Sequence, residues 1–423
     1  MIIKSILDLD LYKLTMAWAV MQQYPEYEVE YQFQNRSKHM FREDFDIELK
    51  KEISKLSKLS LTEKEEDYLR NEPSLSFLPE LFIQWLKGFR YDPNEITITQ
   101  LDQVEDNLKV SAKGYWFRTI MWETTLMSII SELNFKDIYV DLSSVKEKAT
   151  KKASHFNMIN IKVAEMGTRR RKSYAVQDAM IQGLLAESGR FSIVGTSNVH
   201  FAMKYGIKPI GTMAHEFIAF HGALVGYRMA NKVASESWLN VYNNGELGIY
   251  LPDTFGLDAF LKTFDYKMAS LFNGIRHDSG DPFIFGDKII KKYKELGINP
   301  TTKTLIFSDG LSSHEKLSKI SAYFNGQINI SFGIGTWLSF DIDGIDALKM
   351  VIKMTSVKIN NEWVPVIKLS DDLGKHSGLE SEVRRAKITL GMDTDTVDIE
   401  KNVDKISSLL GEINNNIEQL KIK

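Results

Sequence analysis

The sequence lacks cysteine altogether and contains no apolar run that approaches the length of a membrane span. Without cysteine there is no disulfide, no thiolate zinc site and no cysteine nucleophile, and the composition fits a reducing compartment. The N-terminal stretch MIIKSILDLDLYKLTM places Lys4, Asp8, Asp10 and Lys13 where a signal peptide needs an unbroken apolar core. We therefore expect a soluble, cytoplasmic protein with no membrane partner.

An excess of charge of either sign is also missing. The chain has 53 Lys and Arg against 56 Asp and Glu, which gives a net charge of -3. Binding to a nucleic acid needs a strongly basic surface, so we expect no nucleic acid as the main partner. Local clusters of cations can still hold a small anion.

What the chain does have is length, with 423 residues of which 43% are apolar. This predicts two domains, or one barrel with a large flank. The stretches EVEYQFQ (28–34) and NEITITQL (94–101) alternate apolar and polar residues as half-buried strands do, and 42–71 and 117–133 have helical patterns. We place an N-terminal α+β domain over residues 1–135.

Between residues 136 and 345, short apolar runs that end in small or polar residues alternate with helical patterns. Such strand-then-helix units predict a parallel sheet, as an open doubly wound sheet or a closed barrel, and their number favours an α/β barrel. The C-terminal segment 346–423 returns to strands, MVIKMTSVKI and WVPVIKL, and ends in a predicted helix at 402–421. We expect it to rejoin the N-terminal domain in part. The six predicted units lie at 191–198, 208–214, 245–255, 274–282, 303–310 and 328–336.

Active sites of such folds lie at the carboxyl ends of the strands, so the residues after each apolar run are candidates. Turn or capping roles are the simpler explanation for any one of them. An arginine, several carboxylates, a histidine and a glycine loop at one edge together indicate a site. The candidates are Ser197, His215, Asp253, Arg276, Asp278, Asp309 and the loop from Gly333 to Thr336.

The segment EMGTRRRKSY (165–174) places Arg169, Arg170 and Arg171 at the predicted first turn of a helix. Positive charges oppose the helix dipole there, so a bound anion would account for them. A solvated basic turn is the alternative. We favour at least one arginine that faces a carboxylate or a phosphate.

In IRHDSGDP (275–282), Ser279 or Asp281 can cap the helix that follows. Capping leaves Arg276 and Asp278 for other roles. Arginine can bind a carboxylate through two hydrogen bonds, and an aspartate beside it can hold a ribose hydroxyl or a hydrated Mg²⁺.

The stretch FGIGT (332–336) ends a late strand with two glycines and a threonine, whose backbone N–H groups can surround a phosphate. Glycine also serves any tight turn, but barrels often bind phosphate late in the series. Asp309 in SDG (308–310) is either a turn residue or a ligand for sugar hydroxyls.

These motifs occur together in one order. From residue 8 to residue 378 the chain carries DLDLYKLTM, EMGTRRR, GTSN, GTMAHE, RHDSGDP, FSDG, FGIGT and KLSDDLGKHSG. The set resembles the nicotinate phosphoribosyltransferases, a type II phosphoribosyltransferase family. The resemblance implies an irregular α/β barrel with a flanking α+β domain formed by the N-terminal region and the C-terminal tail. It also implies an enzyme of NAD biosynthesis that makes nicotinate mononucleotide and pyrophosphate from nicotinate and phosphoribosyl pyrophosphate.

The resemblance further implies roles for individual residues. His215 matches the histidine that takes a phosphoryl group from ATP, which couples ATP hydrolysis to the reaction. Arg276 and Arg169 match arginines beside the nicotinate ring and its carboxylate, and Arg169 also lies near pyrophosphate in the family. Asp309 matches the aspartate that binds ribose.

Gly333, Gly335 and Thr336 match the loop for the 5'-phosphate. By the same resemblance, Asp253 and Asp278 match carboxylates near Mg²⁺ and pyrophosphate, in direct contact or through water.

Family enzymes commonly form homodimers, and the tyrosine that matches Tyr12 reaches the neighbouring active site to stack on the pyridine ring. Met166 stands where relatives often carry an aromatic residue, and its thioether packs less rigidly against a ring. Ser197 stands where related nicotinamide-using enzymes carry an aspartate. A serine hydroxyl can donate to a carboxylate that an aspartate would repel, so Ser197 favours the acid over the amide. Quinolinate or nicotinamide as substrate, or a non-catalytic nicotinate-binding protein, are the alternatives.

Overall fold

The computed structural model of the protein describes residues 1–101, 104–186, 191–242, 246–372 and 376–392. Within these ranges the chain builds one antiparallel sheet and one parallel sheet. The helix predicted at 402–421 lies outside the described residues.

The strands of the described residues are β1 (Glu28–Asn35), β2 (Ile96–Gln100), β3 (Leu108–Tyr115), β4 (Val163–Glu165), β5 (Ile193–Thr196), β6 (Ile249–Tyr250), β7 (Gly274–His277), β8 (Thr304–Phe307), β9 (Asn329–Ile334), β10 (Met350–Ile359) and β11 (Glu362–Pro365). The α-helices are α1 (Leu11–Gln23), α2 (Phe45–Leu56), α3 (Glu63–Asn71), α4 (Glu80–Gly88), α5 (Trp116–Thr119), α6 (Trp122–Asn134), α7 (Leu142–Met158), α8 (Tyr174–Leu184), α9 (Val199–Tyr205), α10 (His215–Val225), α11 (Tyr227–Val241), α12 (Leu257–Thr263), α13 (Tyr266–Leu271), α14 (Pro282–Glu295), α15 (His314–Phe324), α16 (Thr336–Ser339) and α17 (Glu380–Leu390). Short 3-10 turns include Thr168–Arg170 and Asp253–Phe255.

The antiparallel sheet has the strand order β11-β10-β1-β3-β2 and so combines strands from early and late parts of the chain. Its central strand β1 buries Val29, Tyr31 and Phe33, as the alternation in EVEYQFQ predicts. The strands predicted at NEITITQL and MVIKMTSVKI are confirmed as β2 and β10. The domain limits at residues 135 and 345 stay predictions.

The parallel sheet has the strand order β5-β4-β9-β8-β7-β6, and helices lie between its sequence-adjacent strands. This arrangement confirms the mixed α/β fold, because a parallel crossover needs a covering element. Strand pairing among the described residues does not join β5 to β6, so these two strands are the edges of the sheet.

The segment 208–214 lies between these two edge strands. The Ile210 amide donates to the Thr196 carbonyl of β5 at 2.8 Å, and the Thr212 hydroxyl donates to the carbonyl of the first β6 residue at 3.0 Å. The strand predicted here is reduced to a single bridge between Thr196 and Pro209. Because proline has no N–H to give to a ladder, this side of the sheet is irregular.

The helical pattern that runs from residue 215 to about 240 forms two helices, α10 and α11. Gly226 separates them with a φ of 82°, a backbone conformation that favours glycine. Trp116 of α5 packs on Phe220 of α10 with 4.3 Å between ring centroids. This contact fixes α10, and therefore its first residue His215, against the N-terminal part of the chain.

Among the described helices, none combines the length and apolarity that a membrane span requires.

Candidate active site

A cavity of about 520 Å³ lies between the carboxyl ends of the parallel strands and the strand β10. Residues from distant parts of the chain meet here because parallel strands end on the same side of their sheet. Ten of the residues singled out in the sequence line it: Met166, Arg169, Arg170, His215, Arg276, Asp278, Asp309, Gly333, Gly335 and Thr336.

His215 is the first residue of α10, and 21% of its side chain is exposed. Its Nε2 atom lies 2.9 Å from Oδ1 of Asp253 and 2.9 Å from Nζ of Lys368. Burial lowers the pKa of His215, the charge of Lys368 lowers it further, and Asp253 acts in the opposite direction. The imidazole is therefore neutral near pH 7, the form that has a nucleophilic lone pair.

Asp253 contacts His215 and is 1% exposed. Its Oδ2 atom accepts a hydrogen bond from the Ser279 hydroxyl at 2.6 Å and lies 3.2 Å from Nζ of Lys368. Burial acts to raise the pKa of Asp253, but the contacts with His215 and Lys368 outweigh it and hold the pKa well below its usual value. Both oxygens are engaged, so Asp253 is placed to orient His215 and not to contact a metal ion in the cavity.

Arg276 lies on β7 and forms a compact cluster with Asp278 and Ser308. Its Nη2 donates to Oδ1 of Asp278 at 2.8 Å and its Nε donates to the Ser308 oxygen at 2.8 Å. Burial acts to raise the pKa of Asp278, but Arg276, His215 and Lys368 together outweigh it and lower the pKa, so the carboxylate is ionised. Of the two predicted helix caps, Asp281 accepts two amides of α14.

One ligand atom from each of His215, Asp253 and Asp278 lies within 4.8 Å of the others, a spacing that could suit a metal ion. The ammonium group of Lys368 is in contact with two of these three residues. Because Mg²⁺ prefers oxygen ligands and the lysine cation occupies this space, the cluster as a whole does not fit Mg²⁺. Asp278, which lines the cavity, is the carboxylate of this cluster that fits a hydrated ion.

The arginine segment differs from the predicted start of a helix. Arg169 and Arg170 lie in the 3-10 turn Thr168–Arg170, and α8 begins only after Ser173. The predicted start is wrong because Ser173 caps α8, its side chain accepting a backbone amide of the first turn.

The three arginines of this segment differ in how deeply their side chains are buried. Arg169 and Arg170 line the cavity, with Nη1 of Arg169 3.6 Å from Glu123. Arg171 is fully buried, and both of its Nη atoms donate to the Asp8 carboxylate at 2.7 Å and 2.9 Å. Arg171 thus anchors the N-terminal motif DLDLYK to the arginine turn. Arg170 donates from Nε and Nη2 to the Met350 carbonyl, and both Arg169 and Arg170 present positive charge to the cavity.

The loop FGIGT leads from β9 into α16 and packs against Met166. A Cβ atom on Gly333 would lie 2.6 Å from the Met166 sulfur, and one on Gly335 would lie 3.0 Å from the Met166 carbonyl oxygen. The two glycines therefore permit a close approach that larger residues would block. Their backbone forms part of the cavity wall.

Ser197 and Tyr12 do not line the cavity. Ser197 is 4% exposed, and its hydroxyl donates to Oδ1 of Asp10 at 2.7 Å, so its single proton is already engaged. Tyr12 is 9% exposed, and its hydroxyl donates to Glu123 of the same chain at 3.2 Å. The expected reach of Tyr12 into a neighbouring active site stays a prediction.

A buried ionic network under the cavity has no clear signal in the sequence. Lys13 is fully buried, contacts Glu123 and lies 3.0 Å from Oε1 of Glu216. Burial raises the pKa of Glu216 to about 7. Only tertiary packing joins Lys13 to Glu216, which are 203 positions apart.

Three further cations line the cavity, namely Arg36, Lys353 and Lys368. Within the described ranges, neither Arg36 nor Lys353 forms an ion pair with a carboxylate. Burial lowers the pKa of Lys353 to about 7, and the charges of Arg36 and Lys368 add to that effect. The motif KLSDDLGKHSG marks the segment of Lys368 in the sequence. Lys353 lies inside the alternating strand β10, and no motif marks it as a site residue.

These features define an α/β enzyme with a cation-lined cavity suited to anionic substrates and a histidine at the carboxyl edge of its parallel sheet. Sequence profiles agree with this: that of the nicotinate phosphoribosyltransferase (NAPRTase) family matches residues 161–403, and that of the NAPRTase N-terminal domain matches residues 7–131. The chain belongs to the nicotinate phosphoribosyltransferase family.

Individual relatives are similar over nearly their whole length. The nicotinate phosphoribosyltransferase of Chromohalobacter salexigens is 42% identical over 392 residues, covering 92% of this chain and 98% of that protein. That of Desulforapulum autotrophicum is 44% identical over 388 residues, covering 90% and 97%. The crystal structure of the Porphyromonas gingivalis nicotinate phosphoribosyltransferase superposes with a TM-score of 0.88 at 40% identity, covering 92% of this chain and 100% of that chain.

Proposed function

We propose that the protein transfers the phosphoribosyl group of phosphoribosyl pyrophosphate to nicotinate, with ATP hydrolysis coupled through phosphorylation of His215. Family membership supports the transfer reaction. The observation that carries the coupled step is the neutral His215 imidazole, 2.9 Å from Asp253, on the wall of the cavity that also contains Arg276 and the FGIGT loop.

In the transfer step, the bond from the sugar C1 to the pyrophosphate oxygen breaks and a bond from C1 to the pyridine nitrogen forms. The ring nitrogen already has a lone pair, so no general base is needed. The protein positions the reactants and stabilises the leaving pyrophosphate. Arg276 and Arg169 supply positive charge for the nicotinate carboxylate, Asp309 binds the ribose hydroxyls, and the loop around Gly333 and Gly335 binds the 5'-phosphate.

In the coupled step, a nitrogen of His215 attacks the γ-phosphorus of ATP, and the bond from that phosphorus to the ADP oxygen breaks. Asp253 fixes the orientation of the imidazole for this attack because its Oδ1 lies 2.9 Å from Nε2. Subsequent hydrolysis of the phosphohistidine releases phosphate.

When bound with pyrophosphate, Mg²⁺ would supply positive charge that offsets the charge of the leaving group. Asp278 is the residue that would hold the hydrated ion. Arg36, Arg170 and Lys353 line the same cavity and would add positive charge beside the phosphates.

The test is formation of nicotinate mononucleotide from nicotinate and phosphoribosyl pyrophosphate, with and without ATP, by the wild type and by His215→Ala. We expect ATP to stimulate the wild type and to have no effect on the variant. Equal stimulation of both proteins would exclude the phosphohistidine. Parallel assays with nicotinamide and quinolinate separate the alternative substrates, and binding of nicotinate without any product would indicate a non-catalytic binding protein.

The homodimer and the cytoplasmic location remain proposals. Sedimentation of the purified protein tests the dimer. If the protein is a monomer with full activity, then Tyr12 acts within its own chain, as its bond to Glu123 would allow.

A further inference from the structure

The segment 368–372 is fixed beside the loop that carries Asp253. The Leu369 amide donates to the Thr254 carbonyl at 2.8 Å, and the Asp371 carboxylate accepts the Leu257 amide at 3.0 Å. The segment follows β11 by only a few residues, so the chain returns from the antiparallel sheet to the edge of the parallel sheet. These bonds hold the backbone of Lys368 at the cavity wall.

The ammonium group of Lys368 contacts both members of the His215–Asp253 pair. Its Nζ lies 2.9 Å from Nε2 of His215 and 3.2 Å from Oδ2 of Asp253, and 15% of its side chain is exposed. Asp253 is buried, whereas Lys368 lines the cavity itself. The cation is thus held at the cavity wall, in contact with the imidazole of His215.

The contact restricts the hydrogen bonding of the imidazole. Nε2 either carries a proton, which it donates to Asp253, or carries a lone pair, which accepts a proton of Lys368. A lysine ammonium has three protons and no lone pair, so it can only donate. When Lys368 donates to Nε2, the single proton of the neutral ring is on Nδ1.

We propose that Lys368 is a positioning residue for phosphoryl transfer to His215: its ammonium group, paired with Asp253, holds the imidazole in place and donates to the phosphoryl oxygens as the bond from the ring nitrogen to phosphorus forms. This inference rests on the proposed coupling to ATP. The lone pair of the neutral ring forms the bond to phosphorus, the electron pair of the broken bond leaves on ADP, the other ring nitrogen keeps its proton and Lys368 keeps all three of its own. The ammonium group offsets the negative charge that arrives with the phosphoryl group.

The experiment measures transfer of label from [γ-³²P]ATP to the protein as an acid-labile, alkali-stable phosphohistidine, in the wild type, Lys368→Met and Lys368→Arg. We expect Lys368→Met to slow labelling by about 100-fold, since it removes the donor and the charge. Lys368→Arg retains both and should restore at least about one tenth of the wild-type rate, although its geometry differs. Nucleotide formation without ATP does not pass through the phosphohistidine. The factor by which Lys368→Met lowers its rate should therefore be at least about 10 times smaller than the factor for labelling.

Lys303→Met is the matched control. Lys303 is also buried, but its Nζ donates to the carbonyls of Ser270 and Phe272 at the amino-terminal end of the parallel sheet. This variant should label at the wild-type rate, so a fall as large as that of Lys368→Met would overturn the inference.

Two other results would overturn the inference. One is labelling of Lys368→Met at the wild-type rate. The other is an equal fall, in Lys368→Met, of the labelling rate and of the rate of nucleotide formation without ATP. Failure of the proposed coupling looks different, because the wild type itself would then take up no label at His215.

Discussion

Oδ1 of Asp253 lies 2.9 Å from Nε2 of His215, although the two residues are 38 positions apart in the chain. Asp253 begins the 3-10 turn that follows β6, and His215 begins α10. The parallel sheet brings these two starting points together at its carboxyl edge. A buried carboxylate is thereby placed to select which nitrogen of the imidazole carries a proton.

Substitution of Asp253 by Asn keeps the shape of this side chain and removes its charge. We expect Asp253→Asn to lower the rate of histidine phosphorylation by roughly 100-fold, because the orientation and proton placement of His215 are lost. Labelling with [γ-³²P]ATP measures the rate. Asp258→Asn is the control, since Asp258 pairs with Lys288 at the surface and is 70% exposed. Equal labelling by both variants would contradict an orienting role for Asp253.

Addition of a methyl group to Gly333 would displace Met166. The new Cβ would lie 2.6 Å from the Met166 sulfur, so the flexible thioether must move. We expect Gly333→Ala to raise the KM for nicotinate by roughly 10-fold, equivalent to about 1.4 kcal/mol of strain or lost contact. Gly88→Ala is the control, because nothing lies within 4 Å of its Cβ position and it is the last residue of α4. An unchanged KM in Gly333→Ala would show that the Met166 wall does not contact substrate.

The buried pair of Arg171 and Asp8 is a stability feature and not a ligand site. Arg171→Met leaves the Asp8 charge buried without its partner, so we expect the free energy of unfolding to fall by about 3 to 5 kcal/mol. Urea denaturation measures the change. A second substitution, Asp8→Asn, should recover part of the loss because it removes the unpaired charge.

The matched control for Arg171→Met is Arg385→Met. The Arg385 side chain is 64% exposed and pairs with Glu382 at 2.6 Å. Its loss should change the free energy of unfolding by less than about 1 kcal/mol. Losses of similar size in the two variants would contradict the distinction between the buried pair and the surface pair.

The raised pKa of Glu165 predicts that the stability of the protein depends on pH. It is 1% exposed, and burial raises its pKa from 4.5 to about 7, although hydrogen bonds from the Thr196 hydroxyl and the Gly167 amide oppose this shift. The folded protein therefore binds this proton more tightly than the unfolded chain. The stabilisation is complete below pH 4.5 and is lost as the pH rises to about 7.

Glu165→Gln separates this contribution from those of other groups. Between pH 4.5 and about 7, the free energy of unfolding of the wild type should fall relative to that of the variant, by at most about 1.4 kcal/mol per pH unit. Urea denaturation of both proteins across this range measures the difference. Glu26→Gln, at an exposed position, controls for the loss of one carboxyl group. A difference between wild type and Glu165→Gln that does not vary with pH would contradict the prediction.

The sequence by itself determined the regular elements with strong patterns and the family. Apolar alternation located β1 and β10 because side chains in a strand alternate between two faces, which is a local property. Because parallel strands share a carboxyl edge, most of the cavity residues could also be predicted from the sequence, among them His215 and Arg276. The strand predicted at 208–214 failed because Pro209 removes a ladder donor, and the helix predicted around Arg169 begins later because Ser173 supplies the cap.

Only the tertiary structure decided which charged residues face the cavity and which are buried in pairs. Arg169 and Arg171 are two positions apart and chemically alike, yet one lines the cavity and the other binds Asp8. The cation beside His215 comes from a segment 153 positions later in the chain. Composition and periodicity report how a residue relates to its near neighbours, whereas ion pairs and proton positions depend on distances between segments that only folding brings together.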